Sequence, residues 1–134
     1  MSSPVALNPA ELPPLTGVIS HGLAIPDLGL IYTSGQVAWD AKGELVGRDD
    51  LAAQFTKAYE NIDIVLAAGG SSRSKIIKET IHLVGYNTDN AEQLVGLIAG
   101  CRGPGQTPPA STCVGVETLF AEGYLVEIEV VATL

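Results

Sequence analysis

Apolar and polar positions alternate most cleanly near the end of the chain. Val126, Ile128 and Val130 fall on one side of an extended backbone, and Leu125, Glu127, Glu129 and Val131 on the other. A period of two is that of a strand half-buried in a sheet, which predicts one over Gly123–Ala132. Just before it, Ser111, Cys113, Gly115 and Glu117 alternate with Thr112, Val114, Val116 and Thr118 in a second predicted strand, behind a Pro/Gly-rich loop that begins at Gly103. Antiparallel pairing of the two would set small side chains beside Glu127 and Glu129 as a pocket wall. The plainer reading is an edge hairpin with a solvated acidic face.

Upstream, four prolines within residues 1–14 remove backbone donors and predict an extended N-terminal arm. Val18–Ile25 and Leu28–Val37 read as a hairpin turning at Pro26-Asp27, the second strand containing the β-branched and aromatic run Ile31-Tyr32-Thr33. Gly35, within Ser34-Gly35-Gln36, marks either a bulge or a close approach by a neighbour. Trp39–Gly43 reads as a turn. Leu51, Phe55, Tyr59, Ile62 and Leu66 recur every three or four residues and predict a helix, with Asp49 and Asp50 at its start and Gly69-Gly70 at its end. Lys75–Val84 is a strand with Ile77, Ile81 and Leu83 on one face and Lys78, Thr80 and His82, a surface imidazole, on the other. Asp89 or Asn90 caps a second helix running to about Cys101, with Glu92 placed for a capping box and Leu94, Leu97, Ile98 and Cys101 as its buried stripe.

The order strand, strand, helix, strand, helix, strand, strand predicts an α+β single-domain sheet over residues 15–134 with both helices on one face. The other face then needs cover, which a partner subunit would provide. At 134 residues the chain can bury a core without staples. Cys101 and Cys113 form no metal or redox spacing, and no segment has the length or apolarity of a membrane span, so a soluble, cytoplasmic protein is expected. Lys+Arg 7 against Asp+Glu 15 gives −8, which opposes contact with a phosphate backbone; nucleic acid and membrane are not expected partners. Only 16% of residues are charged, which suits an oligomer. No phosphate loop, dinucleotide fingerprint, zinc helix or nucleophile elbow occurs, and with two histidines, His21 and His82, no metal site is expected.

Leu30-Ile-Tyr-Thr-Ser-Gly-Gln36, Gln54 with Glu60-Asn61, Ala67-Ala-Gly-Gly70, Ile76-Ile-Lys-Glu-Thr80 and Val126-Glu-Ile-Glu-Val130 occur in the order of the YjgF/Rid family, also labelled L-PSP endoribonuclease. The chain resembles that family from about Ser20 to Ala132. The resemblance implies a chorismate mutase-like fold, a homotrimer with three pockets at subunit interfaces, and hydrolysis of reactive enamines and imines, such as 2-aminoacrylate, to the 2-oxo acid and ammonia, with no metal or cofactor. It also implies an arginine that clamps the substrate carboxylate in a motif P-A-R-S-x-V. Here the segment is Pro109-Ala-Ser-Thr-Cys-Val114, so Ser111 stands in the arginine's place and the bidentate contact is lost.

By the same resemblance Glu127 corresponds to the glutamate that orients or activates water, Cys113 to a pocket cysteine, and Ser34 and Gly35 to the pocket-lining strand end. Ile19 stands where a tyrosine is common. His21 has two readings, a pocket donor replacing that tyrosine or a structural histidine. Arg102 likewise either reaches the anion from the loop or answers the dipole of its helix. The function expected is a Rid-like hydrolase or deaminase acting on a small enamine, imine or related C–N compound with altered substrate; the alternative is a trimeric ligand-binding or regulatory protein without turnover.

Overall fold

A computed structural model describes residues 3–134. Its strands are β1 (Val5–Leu7), β2 (Gly22–Ile25), β3 (Leu30–Thr33), β4 (Ile76–Val84), β5 (Ala110–Val116) and β6 (Val126–Thr133), and its helices α1 (Leu51–Ala68) and α2 (Ala91–Gly100). The strands form one sheet in the order β1-β2-β3-β6-β4-β5. Both helices pack on one face, giving the α+β domain expected.

Helix α1 starts where Asp50 accepts a hydrogen bond from the Ala53 N–H at 3.0 Å, satisfying one of the free donors of the first turn. Its stripe of Phe55, Ala58, Tyr59, Ile62, Val65 and Leu66 meets Ile31, Ile81, Ile128 and Val130 of the sheet in the main core. Each such large apolar side chain contributes about 1.5–3 kcal/mol when buried. At the end of α1, Gly70 takes φ 80 and the Ser71 N–H turns back to the Leu66 carbonyl at 2.8 Å. Before α2 a short 3₁₀ turn, Thr88–Asn90, intervenes. The capping box is therefore Asn87 with Asn90, and Glu92 takes no part in it.

Strand pairing differs from the expected hairpin. β5 does not pair with β6: it lies parallel to β4 at the sheet edge, with Ser111 opposite Glu79 and Cys113 opposite Ile81. A helix between two strands delivers the second parallel to the first, and α2 does this here. β6 inserts between β3 and β4, antiparallel to both. A register shift between Ile76 and Lys78 turns Ile77 outward, 47% exposed, and puts Ile76 in its place on the inner face with Glu79, Ile81 and Leu83.

The first predicted strand is shortened because Val18 and Ile19 donate to the Leu15 carbonyl in a turn, leaving β2 to begin at Gly22. Residues 5–7 of the predicted arm add β1 to the edge of the sheet, antiparallel to β2. On the face away from the helices Leu23, Tyr32 and Val114 remain exposed. No helix among the described residues is long and apolar enough to cross a membrane.

Candidate functional site

After β3 the backbone rejoins the sheet at a single point. The Gln36 N–H donates to the Ile128 carbonyl at 2.8 Å and the Ile128 N–H to the Gln36 carbonyl at 3.0 Å. This lays Gly35 against Glu127 so closely that a Cβ on Gly35 would stand 2.7 Å from the Glu127 Cδ. Of the two readings of Gly35, close approach is the one observed. Ser34 is fixed beside it, its N–H donating to the His21 carbonyl at 2.8 Å and its hydroxyl to the Ser20 carbonyl at 2.6 Å.

Ser34, Gly35 and Glu127 form the polar part of a cavity of about 330 Å³; Leu15, Val18, Ile19, Trp39 and Phe120 form its apolar part. Removal from water pushes the Glu127 carboxyl above its ordinary 4.5, Glu129 adds to this, and His82, directly across the β4–β6 ladder, works against it. The His82 Nε2 lies 3.7 Å from a Glu129 oxygen. A carboxyl of raised pKa in a partly apolar recess can take a proton from water and return it to a leaving group.

Trp39 is held from behind. Asn61 on α1 donates to the carbonyls of Val37 at 2.9 Å and of Trp39 at 3.0 Å. The Trp39 indole N–H donates to Gln36 Oε1 at 3.1 Å, and the Gln36 amide lies 3.1 Å from His21 Nδ1. His21 Nε2 lies 2.7 Å from the Pro13 carbonyl. A carbonyl only accepts, so the ring proton is on Nε2 and Nδ1 receives the amide. His21 thus has both nitrogens engaged inside the fold and stacks edge-on against Trp39 at 6.0 Å. It backs the cavity wall without lining it.

Ser111, Cys113 and Arg102 are not brought to this cavity. Ser111 and Cys113 lie on the helix side of the edge strand, in register with Glu79 and Ile81, whereas Glu127 faces His82 on the open side. Arg102 does reach Ser111, through a carboxylate of the protein itself. Its Nη1 and Nη2 donate to the two oxygens of Glu79 at 2.7 Å each, and the Ser111 hydroxyl donates to Oε2 at 2.6 Å. The Tyr59 hydroxyl donates to Oε1. Burial alone would raise the Glu79 pKa, but hydrogen bonds from Arg102, Ser111 and Tyr59 outweigh it and hold the group below 4.5. Burial, reinforced by Glu79, pushes the Tyr59 phenol upward. The Cys113 thiol is exposed, and what desolvation it has raises its pKa, the opposite of an activated thiolate.

Four of the eight residues singled out from sequence, Ile19, Ser34, Gly35 and Glu127, therefore share one cavity. Sequence reasoning passed over Trp39, which falls in the predicted turn, over Val18, the first residue of a predicted strand, and over Leu15 and Phe120, whose only signal was apolar side chains in loops. Glu79 was also missed, although a carboxylate in phase with Ile81 and Leu83 is a charge at a core position. Among the described residues no three of His, Cys, Asp and Glu gather as metal ligands.

Comparison with known proteins places the geometry among relatives. The family model described as endoribonuclease L-PSP matches residues 17–134. The sequence is 33% identical over 107 residues to a 2-iminobutanoate/2-iminopropanoate deaminase of Salmonella typhimurium, covering 79% of this chain and 81% of that protein. It is 30% identical over 127 residues to protein DfrA of Myxococcus xanthus, covering 95% and 93%. The solved structure of YyfA from Yersinia pestis, a Rid-family protein of unknown function, superposes with a TM-score of 0.84 at 32% identity, over 98% of this chain and 100% of that one.

Proposed function

The chain belongs to the YjgF/Rid family, also described as endoribonuclease L-PSP, and on that footing we propose that it is a cytoplasmic Rid-like hydrolase that deaminates a small imine or enamine. The observation that carries the reading is Glu127, half-buried beside Gly35 in the apolar recess with its pKa raised. Glu127 accepts a proton from the attacking water as oxygen adds to the C=N carbon. It returns that proton to nitrogen, giving a carbinolamine, and then passes the hydroxyl proton to nitrogen as ammonia leaves and the carbonyl forms. Ser34 and Gly35 keep the carboxyl aimed.

The working form is a homotrimer. Support comes from the uncovered sheet face and from β5, whose residues 110–115 are exposed in the single chain. A neighbouring subunit carrying its β5 to the Glu127 cavity would complete the pocket with Ser111 and Cys113, which one chain keeps on the other side of the sheet. The serine at position 111 and the commitment of Arg102 to Glu79 support an altered substrate. The same observation favours a second reading, a trimeric ligand-binding protein without turnover. Ribonuclease activity is disfavoured by the charge of −8.

The test is hydrolysis of imines generated in the cuvette by an oxidase, with wild type and Glu127→Gln compared. Acceleration lost by 10²-fold or more, about 3 kcal/mol, in the variant supports the hydrolase. Wild type without acceleration on any imine selects the binding protein.

A further inference from the structure

We infer that the ligand of the Glu127 cavity is a small apolar imine or enamine bearing no carboxylate, one derived from an amine or aldehyde and not from an amino acid. This rests on the hydrolytic reading and narrows it.

Three observations converge. The cavity walls are Leu15, Val18, Ile19, Trp39 and Phe120, and among the described residues Glu127 is the one charged side chain lining it. A substrate carboxylate entering there would face a like charge, with Glu129 two residues further along the same face; His82, 3.7 Å from Glu129, lies outside the cavity, and among the described residues no cation lines it. Arg102, which reaches the strand that holds Ser111, has both Nη1 and Nη2 on the buried Glu79 at 2.7 Å, so its charge is answered inside the fold, and it does not line the cavity. In the proposed trimer the neighbouring β5 would add Ser111 and Cys113 to the pocket, and neither carries a positive charge. Finally, Val18 is 79% and Phe120 78% exposed at the cavity rim, Phe120 standing edge-on to Trp39 at 6.4 Å. Apolar side chains left in water beside a recess of about 330 Å³ are what an apolar ligand would cover.

The reaction is R–CH=NH + H₂O → R–CHO + NH₃. Water oxygen bonds to carbon, the C–N bond breaks, both water hydrogens end on ammonia, and nothing is oxidised or reduced. Without a charged anchor, recognition comes from burying R against Trp39 and Phe120, with Glu127 engaging the nitrogen or the attacking water.

The experiment has two arms on the full chain. In the first, the one tryptophan of the sequence, Trp39, reports binding by fluorescence; phenylacetamide and phenylacetate are compared because they share shape and differ in charge. The amide is expected to bind about tenfold tighter or better. Glu127→Gln should close that gap by improving phenylacetate. In the second arm, the imines made by oxidising phenylethylamine and L-phenylalanine are compared, identical in side chain and differing in the carboxylate. A kcat/KM about tenfold or more in favour of the phenylethylamine imine supports the inference. Preference for the phenylalanine imine, or phenylacetate binding as tightly as phenylacetamide, overturns it while leaving hydrolysis intact. Acceleration of neither imine overturns the hydrolytic reading, and the imine part of this inference with it. The fluorescence arm then decides the charge class alone.

Discussion

Gly35, in the segment after β3, and Glu127 of β6 lie against each other: a Cβ added to Gly35 would lie 2.7 Å from the Glu127 Cδ and 2.9 Å from its Cγ. Both distances are below any real carbon contact, so a side chain at 35 and the observed Glu127 rotamer exclude each other. Gly35→Ala should displace the carboxyl, the end of a flexible side chain, and leave the sheet intact. Imine hydrolysis is expected to fall about 10–100-fold, since misplacing a catalytic group by an ångström costs that much. The melting temperature should move by only a few degrees. Unchanged turnover would show that the Glu127 position is not used.

Removal from water raises the Glu127 pKa, which gives its stability effect a definite sign. The folded chain holds this proton more tightly than the unfolded chain. Stability therefore falls as pH rises from the ordinary 4.5 toward the higher folded-state value, and the deficit persists above it. Glu127→Gln removes the charge. Its melting temperature relative to wild type should rise between pH 4 and 8, measured by scanning fluorimetry at constant ionic strength. A difference that shrinks with rising pH would contradict the burial.

The Glu79–Arg102 pair predicts the opposite dependence. Glu79 is fully buried, and its pKa is held below 4.5 because the donors outweigh burial. The stability it contributes is present above 4.5 and is lost as pH falls through the folded-state value. Glu79→Gln or Arg102→Ala alone leaves a charge without its partner and is expected to cost about 3–5 kcal/mol. Denaturant melts should show the double variant Glu79→Gln/Arg102→Met less damaged than the two losses summed. Additive losses would mean that the two side chains do not act as a pair.

Asn61→Ala should loosen the cavity wall without touching the ligand. It leaves the carbonyls of Val37 and Trp39 without the amide that holds them to α1. Two lost buried hydrogen bonds are worth about 2–3 kcal/mol. Trp39 is 7% exposed in the native chain, so its emission should shift to the red in the variant. An unshifted spectrum would mean that the indole is held by the Gln36–His21 chain alone.

Much of this was legible in the chain. Asp50 at the start of α1, the stripe from Phe55 to Leu66 and the glycines that end it all act within a few residues of one another. The alternation around Val126, Ile128 and Val130 named the buried side of β6 correctly. It also put Glu127 on the opposite side, where the cavity lies. The family motifs led to Ile19, Ser34, Gly35 and Glu127 together. Glu79 was within reach of the same alternation, two residues before Ile81 on the buried face.

What periodicity by itself determined was the type of each element and the side it buries, because both follow from the geometry of a single strand or helix. It did not determine neighbours. Whether β5 lies beside β6 or β4 depends on the α2 crossover, and whether Arg102 finds a substrate or Glu79 depends on a carboxylate 23 residues away. The cavity draws on residues 15–19, 34–39, 120 and 127, which meet only when β6 inserts beside β3 and Gln36 bridges to Ile128. Contacts of such long separation are set by which surfaces bury together and which polar groups find partners. Only the folded chain decides them.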